Sequence, residues 1–313
     1  MTEPVQYFHR ARQKIEIETI YGDRWLRWTY GNPLGRLTLE IVVKRALLSR
    51  LYGWQMNRRF SAQRVLPFIS TYDVDVDEFV KSPFVFKTFN DFFYRALKST
   101  ARPIVTGDGV AVLPADGRHL AFADVGAQEG YYVKGQRFSL AGLFGESDRP
   151  EAERNLTREF AGGSILISRL CPVDYHRFHF PVAGTPGESR LINGWLYSVS
   201  PIALRRNLAY LWENKRMVTV IESPQFGRVA MVEVGATMVG SILETFSPGK
   251  EVAKGDEKGL FRFGGSCVIT LFQKDRIRFD EDFLEQSARQ TEVYARMGER
   301  LGTAVSGQKS EVR

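Results

Sequence analysis

Two glycines followed by a serine, in Phe263-Gly264-Gly265-Ser266-Cys267-Val268-Ile269, open an apolar run near the C-terminus that reads as a buried strand. Glycines let the backbone take conformations closed to other residues and let another group approach a peptide carbonyl closely. A serine placed there is suited to attack the carbonyl just before it, at Gly265, and so to split its own chain. Ala161-Gly162-Gly163-Ser164-Ile165-Leu166 presents the same tripeptide before another apolar run, and both cannot be cleavage sites. Taken alone, each Gly-Gly-Ser reads equally as a turn or bulge leading into a strand. What distinguishes Ser266 is a second segment, Leu170-Cys171-Pro172-Val173-Asp174-Tyr175-His176-Arg177-Phe178-His179-Phe180-Pro181. It holds two of the four histidines in the chain, three residues apart. As a strand it sends His176 and His179 to opposite sides, so a bulge or turn is needed to bring both into one pocket. A polar-aromatic strand with surface histidines is the plainer alternative. No third histidine or paired cysteine lies nearby, so no metal site is expected.

These residues need elements to hold them. Helical spacing dominates to about residue 98, with an amphipathic helix expected from Leu37 to Tyr52 and further helical stretches at Val76–Val80 and Phe89–Leu97. After Pro103 the pattern changes to short apolar runs between Gly and Pro, such as Gly109–Leu113, Ser164–Leu170 and Val218–Ile221, which read as strands. The last strand is expected at Cys267–Phe272, followed by a polar, helical tail from about Asp280 to Leu301. The fold class is α+β. The parse is a helical, basic and aromatic region over 1–100 and a β-rich catalytic domain over 101–313, without internal repeats.

Composition bounds the rest. A chain of 313 residues with 43% hydrophobic content can bury a substantial core. Two cysteines, Cys171 and Cys267, give no disulfide framework and point to a reducing compartment. Charges interrupt every apolar stretch short of the roughly 18 residues a spanning helix needs. Arg10, Arg12, Lys14, Glu16 and Glu18 break up any signal-peptide core. Residues 1–60 hold eleven Lys or Arg against five Asp or Glu, so this segment carries +6 of the total +7, together with Trp25, Trp28 and Trp54. On the expected helix, Leu37, Ile41, Leu48 and Leu51 share a face with Lys44, Arg45 and Arg50 beside it. Basic charge interleaved with Trp and Leu suits the headgroup region of an anionic bilayer. The alternative is a solvated helix packed on its own domain. No recognised nucleic-acid module accompanies the charge, so nucleic acid is not expected as a partner.

The ordered motifs resemble those of the phosphatidylserine decarboxylases, in their longer bacterial branch. The matching runs are Phe92-Phe93-Tyr94-Arg95-Ala96-Leu97-Lys98 with Ala101-Arg102-Pro103-Ile104, Pro114-Ala115-Asp116-Gly117, and Lys134-Gly135 with Phe138-Ser139-Leu140. The histidine segment follows, then Val232-Glu233-Val234-Gly235-Ala236-Thr237-Met238-Val239-Gly240-Ser241, Lys254-Gly255-Asp256-Glu257 and Phe263-Gly264-Gly265-Ser266. Cys267 departs from the Thr or Ser usual at that place. The resemblance implies that Ser266 attacks the Gly265 carbonyl and converts the amide to an ester. Elimination then frees a large chain, 1–265, and a small chain, 266–313, whose first residue becomes a pyruvoyl group. That covalent cofactor forms a Schiff base with the amine of phosphatidylserine and takes up the electrons left when carbon dioxide departs, the role pyridoxal phosphate fills elsewhere.

The resemblance further implies a self-cleavage triad in which His179 is the base and Asp116 orients it, because a serine hydroxyl alone is a poor nucleophile at neutral pH. His176 is implied in the substrate step, placing the carboxylate or returning a proton. Gly235–Ser241 is expected to help line the pocket. For Asp116 the plainer role is a turn aspartate capping backbone amides. The implied protein sits peripherally on the cytoplasmic face of the cell membrane, on an anionic surface, and a homo-oligomer is compatible with the sequence. Three alternatives stay open: a serine hydrolase with an Asp-His-Ser triad, a pyruvoyl decarboxylase acting on another seryl-lipid or amino acid, and a non-catalytic membrane-binding module.

Overall fold

Ser266 begins a strand in the middle of a ten-stranded, mainly antiparallel sheet. The computed structural model describes residues 4–44, 46–126, 131–132, 135–237, 241–262, 264 and 266–305. With strands numbered in chain order, the sheet runs β2 (Lys14–Ile17), β1 (Gln6–His9), β15 (Glu292–Ala295), β4 (Gly117–Phe122), β5 (Ser164–Leu170), β13 (Ser266–Phe272), β10 (Gly227–Val234), β9 (Arg216–Ser223) and β7 (Thr185–Pro186). β8 (Arg190–Ile192) also pairs with β9. A smaller sheet carries the histidine segment, in the order β11 (Ile242–Glu244), β12 (Glu257–Phe261), β6 (Arg177–His179). A third joins β14 (Ile277–Phe279), β16 (Arg300–Ala304) and β3 (Val110–Val112).

The run after Gly265 is apolar throughout because the sheet is covered on both faces. Alternate residues of β13 enter different cores. Val268 and Phe272 meet Phe178 and Phe261 of the small sheet, whereas Cys267, Ile269 and Leu271 meet Leu143, Phe144, Phe160 and Leu211. Both β5 and β13 are buried at every position. Removing this much apolar surface from water, at about 25 cal/mol per Å², makes the middle of the sheet its most constrained part.

The N-terminal part differs from the helical expectation. β1 and β2 form a hairpin, and β1 pairs in parallel with β15, so residues 6–17 extend the ten-stranded sheet. The helix expected from Leu37 to Tyr52 is broken: after α1 (Asp23–Gly31) come α2 (Pro33–Thr38), a π-helical stretch Leu39–Val43, and α3 (Ala46–Met56). Asn32 caps α2, accepting a bond from the Leu34 amide, with Pro33 at the first helical position. Arg45 lies outside the described residues, as do the side chains of Leu48 and Arg50. Val76–Glu78 is a single 3-10 turn, and the helix near residue 90, α5, spans only Phe89–Phe93. Between α3 and α5 lies α4 (Val65–Tyr72). Phe68, Phe79, Phe86, Phe89 and Phe92 form a cluster of edge-to-face and tilted rings under these helices.

The C-terminal expectation also changes. Beyond β13 the chain makes three more strands, and only Glu281–Ala288 of the supposed helical tail is a helix. Short amphipathic strands in a polar context carried too little apolar periodicity to be seen. The mixture of sheet and helix is otherwise that of an α+β protein.

Candidate active site

The two Gly-Gly-Ser sites stand at opposite ends of one antiparallel pair, with Ser164 opposite Phe272 and Ser266 opposite Leu170. Their hydroxyls differ. Ser164 Oγ donates to the Ala123 carbonyl at 2.9 Å. Ser266 is fully buried, and its Oγ has no hydrogen-bond partner among the described residues. A buried hydroxyl without a partner costs free energy that an ordinary core serine does not incur. Just before it, Gly264 has a φ of 129°, a conformation that side chains resist. Gly265 and Phe263 lie outside the described residues, as do Lys134 and Met238–Gly240 from the matched motifs. Cys267 points into the opposite core from Ser266, so it does not share the hydroxyl's surroundings.

His176 is fully buried immediately before β6, its ring tilted against Phe93 with 3.9 Å between centroids. Its Nδ1 faces the Asp174 carbonyl at 3.0 Å, which assigns the proton to Nδ1 and leaves Nε2 with a lone pair. That Nε2 has no hydrogen-bond partner among the described residues, although the Gly264 backbone is near enough to favour protonation. Burial pushes the ring down to about 3, and the charge of Arg95 adds to this.

His179, inside β6, turns away from the core that takes Phe178. The bulge that the sequence called for lies instead on the partner strand. The register of β12 shifts between Glu257 and Gly259, at Lys258. Lys258 is fully buried, with Nζ 3.0 Å from Glu233 and 2.7 Å from Glu244. Burial raises the Glu233 carboxyl to about 7, with Lys258 opposing. His179 gives its Nδ1 to the Gly255 carbonyl at 2.9 Å, and its Nε2 lies 3.4 Å from the Tyr175 hydroxyl. Burial lowers its pKa too. Both histidines are therefore neutral at pH 7 and both present Nε2 as a base.

Asp116 does not touch His179. Its carboxylate takes two bonds from Arg102 Nε, at 2.9 and 3.0 Å, another from Arg102 Nη2 at 2.5 Å, and the Met297 amide at 2.8 Å. The expected Asp-His contact is replaced by a buried, forked ion pair. The link between the two is the backbone, since the His179 amide donates to the Pro114 carbonyl at 2.7 Å in the turn that carries Asp116. His176 is near the backbone of Gly264, two residues before Ser266, while His179 is paired with Tyr175.

An ionic lattice next to the histidine loop was not legible in the sequence. Arg169 Nη2 pairs with Glu18 at 2.6 Å and Glu292 at 2.5 Å. The Cys171 thiol donates to Glu18 at 2.8 Å, and the Cys171 amide donates to Asp174 at 2.6 Å. Arg118 holds Asp174 at 2.6 Å. Glu18 and Glu292 are each more than 100 residues from Arg169, so no spacing could reveal the lattice. Above this lattice opens a mostly apolar pocket of about 300 Å³, lined by Ile20, Trp25, Leu26, Tyr52, Thr237 and Gly264 among others. Thr237 is the described member of the expected lining segment to reach it.

The helices beside that pocket expose Trp25, Trp28, Leu34, Leu37, Ile41, Leu51, Trp54 and Phe60. Arg24, Arg36, Arg58 and Arg59 are exposed among them. Lys44 is not exposed in this way: it pairs with Glu40 and lies 4.4 Å over the Trp195 ring. Among the described residues, no helix is long and apolar enough to cross a membrane, and no cluster of His, Cys, Asp or Glu could hold a metal ion.

A family model described as phosphatidylserine decarboxylase matches residues 89–303. A phosphatidylserine decarboxylase proenzyme of Clostridium kluyveri is 41% identical over 298 residues, covering 95% of this chain and 98% of the relative. One from Chlamydia pneumoniae is 43% identical over 297 residues, covering 95% and 96%. One from Desulfitobacterium hafniense is 40% identical over 303 residues, covering 97% and 99%.

Proposed function

The chain belongs to the phosphatidylserine decarboxylase family, and from that premise we propose that it splits itself at Gly265–Ser266 and then converts phosphatidylserine to phosphatidylethanolamine and carbon dioxide. One observation carries the choice of bond: of two Gly-Gly-Ser sites, only Ser266 keeps a buried hydroxyl with no partner among the described residues. The same orphaned atom, behind a glycine at φ 129°, fits a residue destined to become a pyruvoyl group. That group supplies a carbonyl that condenses with the substrate amine and accepts the electron pair released with carbon dioxide.

In this reading His179 Nε2 takes the proton of the Ser266 hydroxyl as it attacks the Gly265 carbonyl. Asp116 positions His179 through the Pro114–Gly117 turn rather than by direct contact. His176 serves the later step, holding or returning a proton at the substrate carbon, and Phe93 and the Asp174 carbonyl fix its ring. A specific observation favours a second reading in which the histidines exchange roles. His176 is the one whose Nε2 is unpartnered beside Gly264, whereas that of His179 faces Tyr175.

The apolar pocket beside Gly264 is the place for the glycerol and acyl portion of the lipid. The Trp- and Leu-bearing face of α1–α3, with its exposed arginines, rests peripherally on an anionic membrane, on the cytoplasmic side. Intact-mass measurement tests the core of the proposal. Wild type should give two chains, the smaller blocked by pyruvoyl; Ser266→Ala should stay whole and inactive, and Ser164→Ala should split normally. A Ser266→Ala chain still cut before residue 266 would reject Ser266 as the nucleophile. Failure of the processed enzyme to act on phosphatidylserine would move the reading to another seryl substrate.

A further inference from the structure

The histidine loop lines a second, polar cleft of about 290 Å³: Val173, Asp174 and Tyr175 face it, whereas Cys171 and Pro172 line the apolar pocket. Asp174, Tyr175, Asp116 and Arg95 contribute to its wall. The cleft touches the active site twice: Tyr175 reaches His179, and the charge of Arg95 acts on His176. Most of its charges are committed. Asp116 is held by Arg102, Asp174 by Arg118, Glu16 by Arg12, and Glu78 by Arg102 and Arg296 at 2.9 Å each. The remaining carboxylates, Asp73 and Asp75, are exposed at the rim.

Arg95 is the exception. It is 4% exposed, yet its Nε and Nη1 have no hydrogen-bond partner and it forms no ion pair among the described residues. The guanidinium lies 4.9 Å from the centres of both the Phe79 and Phe92 rings, which adjoin each other, and Asp116 and Asp174 act on it only through space. A guanidinium stays charged under all ordinary conditions, and a buried charge without a bonded counter-ion is strongly unfavourable. Its planar fork matches an oxyanion. We propose that Arg95 binds an oxyanion of the substrate headgroup, either the phosphodiester or the carboxylate, and so sets the preference for anionic seryl lipids. This rests on the phosphatidylserine reading above.

The test uses the full-length, self-processed enzyme with Arg95→Met, which keeps an apolar stem against the two phenylalanines, and Arg95→Lys. Formation of both chains reports that the variant has folded. Loss of a charge-assisted hydrogen bond predicts that Arg95→Met raises KM for phosphatidylserine about 10- to 100-fold, with kcat changed much less. Two soluble competitors separate the sources. If inhibition by glycerophosphoethanolamine weakens in the variant, the phosphodiester is the ligand; if inhibition by N-acetylserine weakens, it is the carboxylate. Unchanged KM and unchanged inhibition by both in a processed Arg95→Met enzyme would overturn the inference while leaving the decarboxylase reading intact. If Arg95→Met does not process, Arg95→Lys decides: a raised KM supports the fork, and a wild-type KM overturns it. A wild-type chain with no activity on phosphatidylserine would overturn both.

Discussion

Lowering the pH from 7.5 to 5.0 should destabilise the fold through its buried histidines, and the size of the effect follows from their environments. His119 is fully buried in β4, with Nδ1 2.9 Å from Ser168 Oγ and Nε2 3.3 Å from the Ala295 carbonyl; burial lowers it from 6.5 to about 4. Between those values the unfolded chain binds a proton that the native chain refuses, so stability falls as pH falls. At pH 5.0 the gap between 6.5 and the solution pH corresponds to about 2 kcal/mol. Glu233 has the opposite sign. Its carboxyl is raised from 4.5 to about 7, so the native chain holds a proton that the unfolded chain has lost, and its contribution grows on acidification, again by about 2 kcal/mol over this interval. For a 313-residue chain, 2 kcal/mol corresponds to about 3 °C in Tm. The assay is thermal unfolding at both pH values in the uncleaved Ser266→Ala background. His119→Gln should shrink the acid loss of Tm by about 3 °C relative to its parent. Glu233→Gln should enlarge it by a similar amount. Other titrating groups cancel in each comparison. Equal acid losses in the parent and both variants would refute the assignment of these titrations to burial.

Processing and turnover should separate the two histidines: His179→Ala should accumulate as one chain, and His176→Ala should split yet turn over little lipid, each loss being on the order of 10²–10⁴-fold. The reverse pattern on a gel would establish the exchanged roles. Neutralising Arg24, Arg36 and Arg59 together should weaken binding to anionic vesicles by about 3 kcal/mol at low salt while both chains still form; unchanged co-sedimentation would leave that face without a membrane role. Arg102→Met strands the Asp116 carboxylate in the interior and should cost about 3–5 kcal/mol, read as a lowered Tm of the Ser266→Ala precursor. Arg102→Met,Asp116→Asn should recover much of it.

What the sequence disclosed was local. The Gly-Gly-Ser step into an unbroken apolar run announced a buried strand, and Ser164–Leu170 announced its neighbour. The expected strand through both histidines is shorter, since β6 begins at Arg177 and His176 lies before it, and the bulge was not visible because it belongs to β12. The β1–β2 hairpin went unread because its residues are only half buried and its partner strand, β15, begins at Glu292. Lys44 looked like a membrane cation beside Leu37 and Ile41, yet it is engaged by Glu40 and the distant Trp195. Asp116 was visible as a chemically capable carboxylate. That Arg102 rather than His179 takes it depends on how two loops fold back, which no spacing records.

The place of β13 has a consequence for the order in which the molecule is made. Translation delivers this strand after both of its neighbours, β5 and β10, and it must slide between them to finish the sheet. Ser266 reaches its place only when β13 has docked, so the proposed cut would inspect the assembly of this sheet. The proposed cut leaves the second piece threaded through the first, with β13 between β5 and β10 and β15 between β1 and β4. The halves share one hydrogen-bonded fabric and cannot drift apart while it stands. Thermal denaturation then turns one molecule into two, so recovery of the cut enzyme should depend on its concentration, whereas the uncut precursor should refold as a single chain.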